Sequence, residues 1–153
     1  MTRHIFATAA GMLLISGLTP AGAQDDGQTT LTVATSEEHG EYIADGDGRA
    51  LYMFEIDQRG EGDENAVSNC YDACAEAWPP LTAEGEPAAG DQVNAELIGT
   101  LERTDGEMQV SYGGWPLYYY VQDQGAGQTT GHDVEGFGGE WYLVTPSGEI
   151  VGH

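Results

Sequence analysis

The chain predicts a small, mainly β, antiparallel domain made of two similar repeats, with one short helical turn near Cys70 to Ala77. Three observations carry that expectation. The seven residues Leu51 to Asp57, LYMFEID, return 66 positions on as Leu117 to Asp123, LYYYVQD, and both copies fit Leu-Tyr-x-[Phe/Tyr]-x-x-Asp. Aromatic, apolar runs of this kind, ending in a turn-forming acid, are the pattern of a half-buried strand. The remaining apolar stretches are short and separated by Gly- and Asp-rich turns, and one alanine-rich segment is stopped by Pro79 and Pro80.

The chain opens with Arg3 and His4, an apolar run from Ile5 to Leu18, then Pro20 and the small residues Ala21, Gly22 and Ala23. That order predicts a secretory signal peptide over residues 1–23, cut after Ala23. A membrane anchor would need about 20 apolar residues. The only cysteines are Cys70 and Cys74, so no lipidation site adjoins the cut and no membrane anchor is expected after cleavage. The product is expected in the periplasm or outside the cell. Residues 24–30 read as a flexible acidic leader. Residues 31–153 read as a single duplicated β domain, with repeat one at about 31–81 and repeat two at about 92–151.

Within repeat one, Leu31 to Thr35 alternates apolar and polar side chains and predicts the first strand. Glu41 to Ala44 predicts a second, and Asp45-Gly46-Asp47-Gly48 turns the chain into Leu51 to Asp57 as a hairpin. Ser68 or Asn69 can cap the helical turn, and Thr82 to Asp91 is expected to be a loop. In repeat two, Glu96 to Glu102 and Met108 to Tyr112 flank Asp105-Gly106 and predict a hairpin. Gly113, Gly114 and Pro116 then turn the chain into Leu117 to Asp123. Gln124 to Gly139 reads as a glycine-rich loop, Trp141 to Thr145 as a core strand, and Glu149 to Val151 as a short return.

Charge excludes one class of partner. Removing 23 of 153 residues leaves 130, with three arginines against all 26 acidic residues, a formal charge of −23, and no lysine. Such a field repels nucleic acids and anionic lipid surfaces. A saline environment would explain it, since salt shortens the screening length from about 10 Å at 0.1 M to about 3 Å at 1 M. The rival explanation, a surface that collects cations or a basic partner, predicts acids gathered on one face.

The order LYMFEID, SNCYDACAEAWPPL, LERTDGEMQVSYGGWPLYYYVQDQGAGQTTG and EWYLVTPSG resembles a secreted-repeat family of unknown function, bacterial predicted lipoproteins with a Tyr-x-[Phe/Trp/Tyr]-x-x-Asp motif. The likeness runs from about Tyr42 to Gly148. It implies a duplicated extracytoplasmic domain and no established reaction, ligand or catalytic residue. Two features depart from the family: the missing lipidation cysteine, and Gly131-His132-Asp133 where the family tends to have Gly-Gln-Gly.

The candidate site residues divide by chemistry. Cys70 and Cys74 are expected to form a disulfide in an oxidising compartment. In a regular helix, residues four apart have Cβ atoms about 5 to 6 Å distant, whereas a disulfide needs about 3.5 to 4.5 Å, so the helix is distorted there or the thiols are free. Free thiols would suit a soft metal or redox use. His39, His132 and His153, with Met53 and Met108, add imidazole and thioether donors but lack metal-ligand spacing, so no metal or cofactor is expected and the histidines should be solvent-exposed.

Leu51, Tyr52, Phe54, Asp57, Leu117, Tyr118, Tyr120 and Asp123 form the repeated motif. Asp57 and Asp123 could act as a glycosidase-like carboxylate pair if they shared a cleft, but their place at strand ends, accepting N–H bonds of the following turn, is the stronger explanation. Asp45 and Asp47 resemble half of a calcium loop, but the complete loop is absent and an Asp-Gly hairpin turn explains them better. Successive strand residues face opposite ways, so Tyr119 should lie on the face opposite Tyr118 and Tyr120. With Met53 and Trp115 it is a candidate exposed binding surface. The favoured function is a non-enzymatic binding or interaction module for an unknown protein or glycan partner. The alternatives are a periplasmic metal or redox accessory protein using Cys70 and Cys74, and a hydrolase using Asp57 and Asp123.

Overall fold

A computed structural model describes residues 28–152, so the expected signal peptide, most of the expected leader and His153 lie outside the described residues. Among the described residues the chain is mainly β, with three small sheets and one short α-helix. The first sheet joins β1 (Thr30–Ser36) antiparallel to β2 (Gly40–Asp45), and β1 on its other side parallel to β4 (Ala88–Ala89). The second places β9 (Gly139–Leu143) between β3 (Tyr52–Phe54) and β8 (Val134–Gly136). The third runs β5 (Ile98–Glu102), β6 (Met108–Tyr112) and β7 (Trp115–Pro116). Among the described residues no helix is long and apolar enough to cross a membrane.

Of the two hairpins expected from turn chemistry, β5–β6 is present. The other, Glu41 to Ala44 against Leu51 to Asp57, does not form a ladder: β2 pairs with β1 and β3 pairs with β9, leaving an isolated Ala44–Ala50 bridge across the Asp45–Gly48 turn. In the β1–β2 and β5–β6 pairs Val33 faces Ile43 and Thr100 faces Val110, and Ile43 and Val110 enter one buried cluster, although β2 and β6 each bury four consecutive residues. Three further expectations need correction. The segment Thr82 to Asp91 is not all loop, because its Ala88–Ala89 adds a strand to β1. Gln124 to Gly139 likewise contains β8, which covers the outer side of β9. Gln28 and Thr29 of the expected leader are tied down: the Thr29 hydroxyl donates to the Thr82 carbonyl at 2.8 Å and its carbonyl accepts from Ala88 N–H.

The motif stretch is buried on both faces rather than half-buried. Tyr52, Met53 and Phe54 are all 0% exposed. The reason is that the two motif copies run through the middle of the molecule, side by side. Tyr52 and Tyr118 form an antiparallel bridge, exchanging N–H to carbonyl bonds of 2.8 and 2.9 Å. One face of this pair presents Tyr52, Phe54, Tyr118 and Tyr120 to a largely aromatic cluster with Trp78 and Trp141. The other presents Leu51, Met53 and Leu117 to a mostly aliphatic cluster with Leu31, Ile43, Leu81, Val110 and Val144. Tyr119 packs against this second cluster, on the face opposite Tyr118 and Tyr120 as strand alternation requires.

Candidate functional site

The two motif acids are bound crosswise. The Tyr52 hydroxyl donates to Asp123 Oδ2 at 2.6 Å and the Tyr118 hydroxyl donates to Asp57 Oδ2 at 2.5 Å, so the tyrosine of each repeat satisfies the acid of the other. Each acid also accepts backbone N–H bonds from its own repeat: Asn69 N–H to Asp57 at 2.6 Å, and Thr130 N–H to Asp123 at 2.9 Å. Ser68 Oγ lies 2.5 Å from the Tyr118 hydroxyl, and Gly131 N–H donates to the Tyr52 hydroxyl at 3.1 Å. The exchange of partners is that of an approximate twofold axis passing between Tyr52 and Tyr118.

Both carboxylates are buried. Burial pushes Asp57 up to about 6, against the lowering pull of the Tyr118 hydroxyl, the Asn69 N–H and the Arg103 charge. Burial and the facing carboxylates push Tyr52 and Tyr118 far above the ordinary phenol range, so both remain donors. Neither acid lines any of the surface hollows described below, and each sits in its own cage of bonds. A hydrolytic pair needs a common cleft, and this arrangement instead makes the acids cross-links between repeats.

Arg103 closes one of the cages. It is buried, and its guanidinium donates to Ser68 Oγ at 2.9 Å, Gln109 Oε1 at 2.8 Å and the Cys70 carbonyl at 2.7 Å, lying over the Tyr71 ring. Arg49 lies over Tyr119 and donates to the Asp123 carbonyl, and Arg59 lies over Trp115 and donates to the Gly113 carbonyl. All three described arginines are thus engaged with rings and carbonyls of the fold.

Cys70 and Cys74 form a disulfide with Cα atoms 5.2 Å apart. The geometric conflict with a helix disappears because α1 spans only Ala73–Ala77, leaving Cys70 outside it. The expected caps have other roles. Asp72 occupies the N-cap position with φ 54° and no side-chain cap bond, while Ser68 and Asn69 serve Tyr118 and Asp57.

A second echo, W-x-x-[Leu/Val]-Thr, is present as Trp78 to Thr82 and Trp141 to Thr145 and was open to sequence comparison. It supplies the segments that flank the motif pair, β9 on one side and the bridged stretch around Pro80 on the other. Phe54 faces Trp141 in the β3–β9 ladder, and the Val121 and Tyr119 N–H groups reach the Ala77 and Pro79 carbonyls on either side of Trp78. The outcome is a column of four stacked rings in the order Phe54, Trp141, Trp78, Tyr120, with centroid spacings of 3.9, 4.0 and 3.9 Å. The twofold exchange maps the column onto itself.

The expected binding surface of Trp115, Tyr119 and Met53 does not form. Met53 is fully buried, because its strand has core on both faces. The Tyr119 hydroxyl donates to Asp45 Oδ2 at 2.7 Å, and Trp115 is half-buried beneath Arg59. Asp45 Oδ1 accepts the Asp47 and Arg49 N–H groups, which makes the Asp45–Asp47 pair a turn. His39 and His132 are not solvent-exposed singles: their rings meet at 4.5 Å, and His132 Nδ1 accepts the Leu143 N–H. Among the described residues no group of three or more His, Cys, Asp or Glu is placed to hold a metal.

The surface instead offers a cleft of about 430 Å³ between the inter-repeat segment and β5. Ala83, Pro87, Ala95, Ile98 and Met108 give it apolar walls, with Glu84 and Glu86 at its margin. A second hollow of about 650 Å³ shares Ala83, Glu84 and Met108 and adds Glu107, so the two form one groove. Sequence reading missed it because Thr82 to Asp91 looks like a featureless linker.

A family described as a secreted repeat of unknown function matches the chain twice, at residues 33–82 and 99–145. Each match closes on the threonine of a W-x-x-[Leu/Val]-Thr segment. No curated protein and no solved structure matches the chain.

Proposed function

From the premise that this chain belongs to the family of secreted repeats of unknown function, of which it carries two copies, we propose that it is a non-enzymatic binding module, acting in the periplasm or outside the cell on a basic protein partner. The observation that carries this reading is the groove beside β5. There apolar walls meet Glu84, Glu86 and Glu107 at the surface, whereas Asp57, Asp123, Cys70 and Cys74 are bonded within the fold. Ligand sites combine apolar walls with a few polar groups in this way, and the strong negative field would steer a cationic partner towards it.

The closed Cys70–Cys74 bond argues against a thiolate metal or redox role, and the separate cages of Asp57 and Asp123 argue against hydrolysis. A glycan surface would need exposed flat rings, and the aromatic column is internal. The test is titration with a short peptide alternating arginine and alanine, beside its glutamate counterpart. The arginine peptide should bind, weaken as salt rises and be lost in the variant Ile98→Glu with Met108→Glu. Equal binding to that variant, or preference for the acidic peptide or for an oligosaccharide, would overturn the reading.

A further inference from the structure

Duplication gives each repeat an outer strand, β1 in the first and β5 in the second, and their surroundings differ. Val33 opposite Ile43 and Thr100 opposite Val110 place the two hairpins in the same register, with a constant offset of 67 residues. On its outer side β1 has β4: the Ala88 N–H donates to the Thr29 carbonyl and the Gly90 N–H to the Leu31 carbonyl, both at 2.8 Å. β5 ends its sheet, and among the described residues no strand pairs with its outer side.

Two flanking bonds fix which way the β5 backbone faces. Gly113 N–H donates to the Leu97 carbonyl at 2.9 Å, and Arg103 N–H donates to the Glu107 carbonyl at 2.8 Å. In an antiparallel ladder every second residue exchanges both bonds with its partner. Gly99 and Leu101 therefore face β6, while Thr100 and Glu102 point N–H and C=O outward and Ile98 its C=O, the Ile98 N–H being bonded to the Ala95 carbonyl. Under the offset of 67, Ile98 corresponds to Leu31, whose carbonyl is the one that Gly90 bonds.

The cleft lies along this edge, with Ile98, Gly99 and Thr100 on one wall and Ala83 to Pro87 on another. We propose that an extended, basic segment of a protein partner adds to the outer edge of β5 as a parallel strand, as β4 adds to β1. Its small or apolar side chains enter the cleft and its Lys or Arg side chains meet Glu84, Glu86 and Glu102. Strand addition uses the backbone bonds that an edge leaves open and takes its specificity from side-chain pockets. A second copy is a poor occupant, since two β5 edges would bring Glu102 and Glu96 against their like. The proposal rests on the groove being the binding surface.

The test uses the arginine–alanine peptide with its amide nitrogens methylated either on every alanine or on every arginine. One set should weaken binding about tenfold or more and the other should leave it unchanged, because only one set of N–H groups faces β5. On binding the unmodified peptide, the amides of Thr100 and Glu102 should slow in hydrogen exchange, while those of Gly99 and Leu101 stay as they were. If the peptide binds in the groove but both methylated forms bind alike and the outward amides do not slow, strand addition is overturned and the binding-module reading stands. If the unmodified peptide does not bind, both fall. Dimer formation through the same edge, seen by sedimentation, would also overturn the assignment of a basic partner.

Discussion

Tyr52 of the first repeat donates its hydroxyl hydrogen to Asp123 of the second at 2.6 Å, and the bond lies inside the core. Its twin, Tyr118 to Asp57, runs the other way. Each repeat therefore leaves its own buried acid short of the phenolic donor until the other repeat is folded beside it, which makes folding of the two halves interdependent.

Removing one such hydroxyl leaves a buried carboxylate short of a donor, so Tyr52→Phe and Tyr118→Phe should each lower stability by about 1 to 3 kcal/mol. Urea unfolding should remain a single transition in both variants, since neither repeat holds without the other. Two separated transitions would show that the repeats fold independently.

Asp57 predicts a pH dependence of definite sign. Its folded pKa of about 6 lies above the ordinary 3.8, so the folded protein holds this proton more tightly than the unfolded chain. The contribution is fully present below about pH 4 and is lost as pH rises through about 6; two units correspond to about 3 kcal/mol. Self-repulsion among acids acts in the same direction, so the diagnostic is a difference in slope. Stability of Asp57→Asn should vary less between about pH 4 and pH 7 than that of the parent protein. Identical slopes would remove Asp57 as the source.

The stacked column predicts a gradient along its length. Trp78 has a ring on both sides, Tyr120 and Trp141, whereas Phe54 stacks on Trp141 alone. Trp78→Ala should cost about 3 to 5 kcal/mol, and Phe54→Leu, which keeps an apolar side chain of similar bulk, should cost less, about 1 kcal/mol. Denaturant midpoints of the two variants give the comparison.

The disulfide closes a short ring beside Arg103, whose guanidinium bonds the Cys70 carbonyl. By chain entropy a ring of about five residues contributes roughly 2 kcal/mol or less. The intact protein should be two hydrogens lighter than the thiol form and resist alkylation, with no cysteine left free. After reduction it should stay folded with a modestly lower midpoint. Complete unfolding on reduction would mean that the bond holds far more than one turn.

The β5–β6 hairpin was legible because its information is local: the Asp105-Gly106 turn acts within a few residues, as does the alternation in Leu31 to Thr35 that marks β1. The partner of the motif strand was not, because β3 pairs with the distant β9 rather than with β2. The motif acids were legible as turn formers, and Asp57 and Asp123 do take backbone N–H bonds from the loops that follow them. The binding surface was not legible. Met53 reads as an outward residue only if the motif strand has one solvent face, and the strand lost that face because a second core packs there.

What the sequence by itself determined is the set of parts: a duplicated motif, short strands at the right places, a cysteine pair in reach of itself, and an excess of acid over base. These follow from local periodicity, turn chemistry and composition, which act through neighbours in the chain. Only the tertiary structure decided the pairings. That Tyr52 meets Asp123 and not Asp57, that Trp78 stacks on Trp141, and that β4 covers β1 while β5 stays open are contacts between distant segments. Their energies depend on which surfaces come together, and two nearly identical repeats leave that choice open until the chain packs.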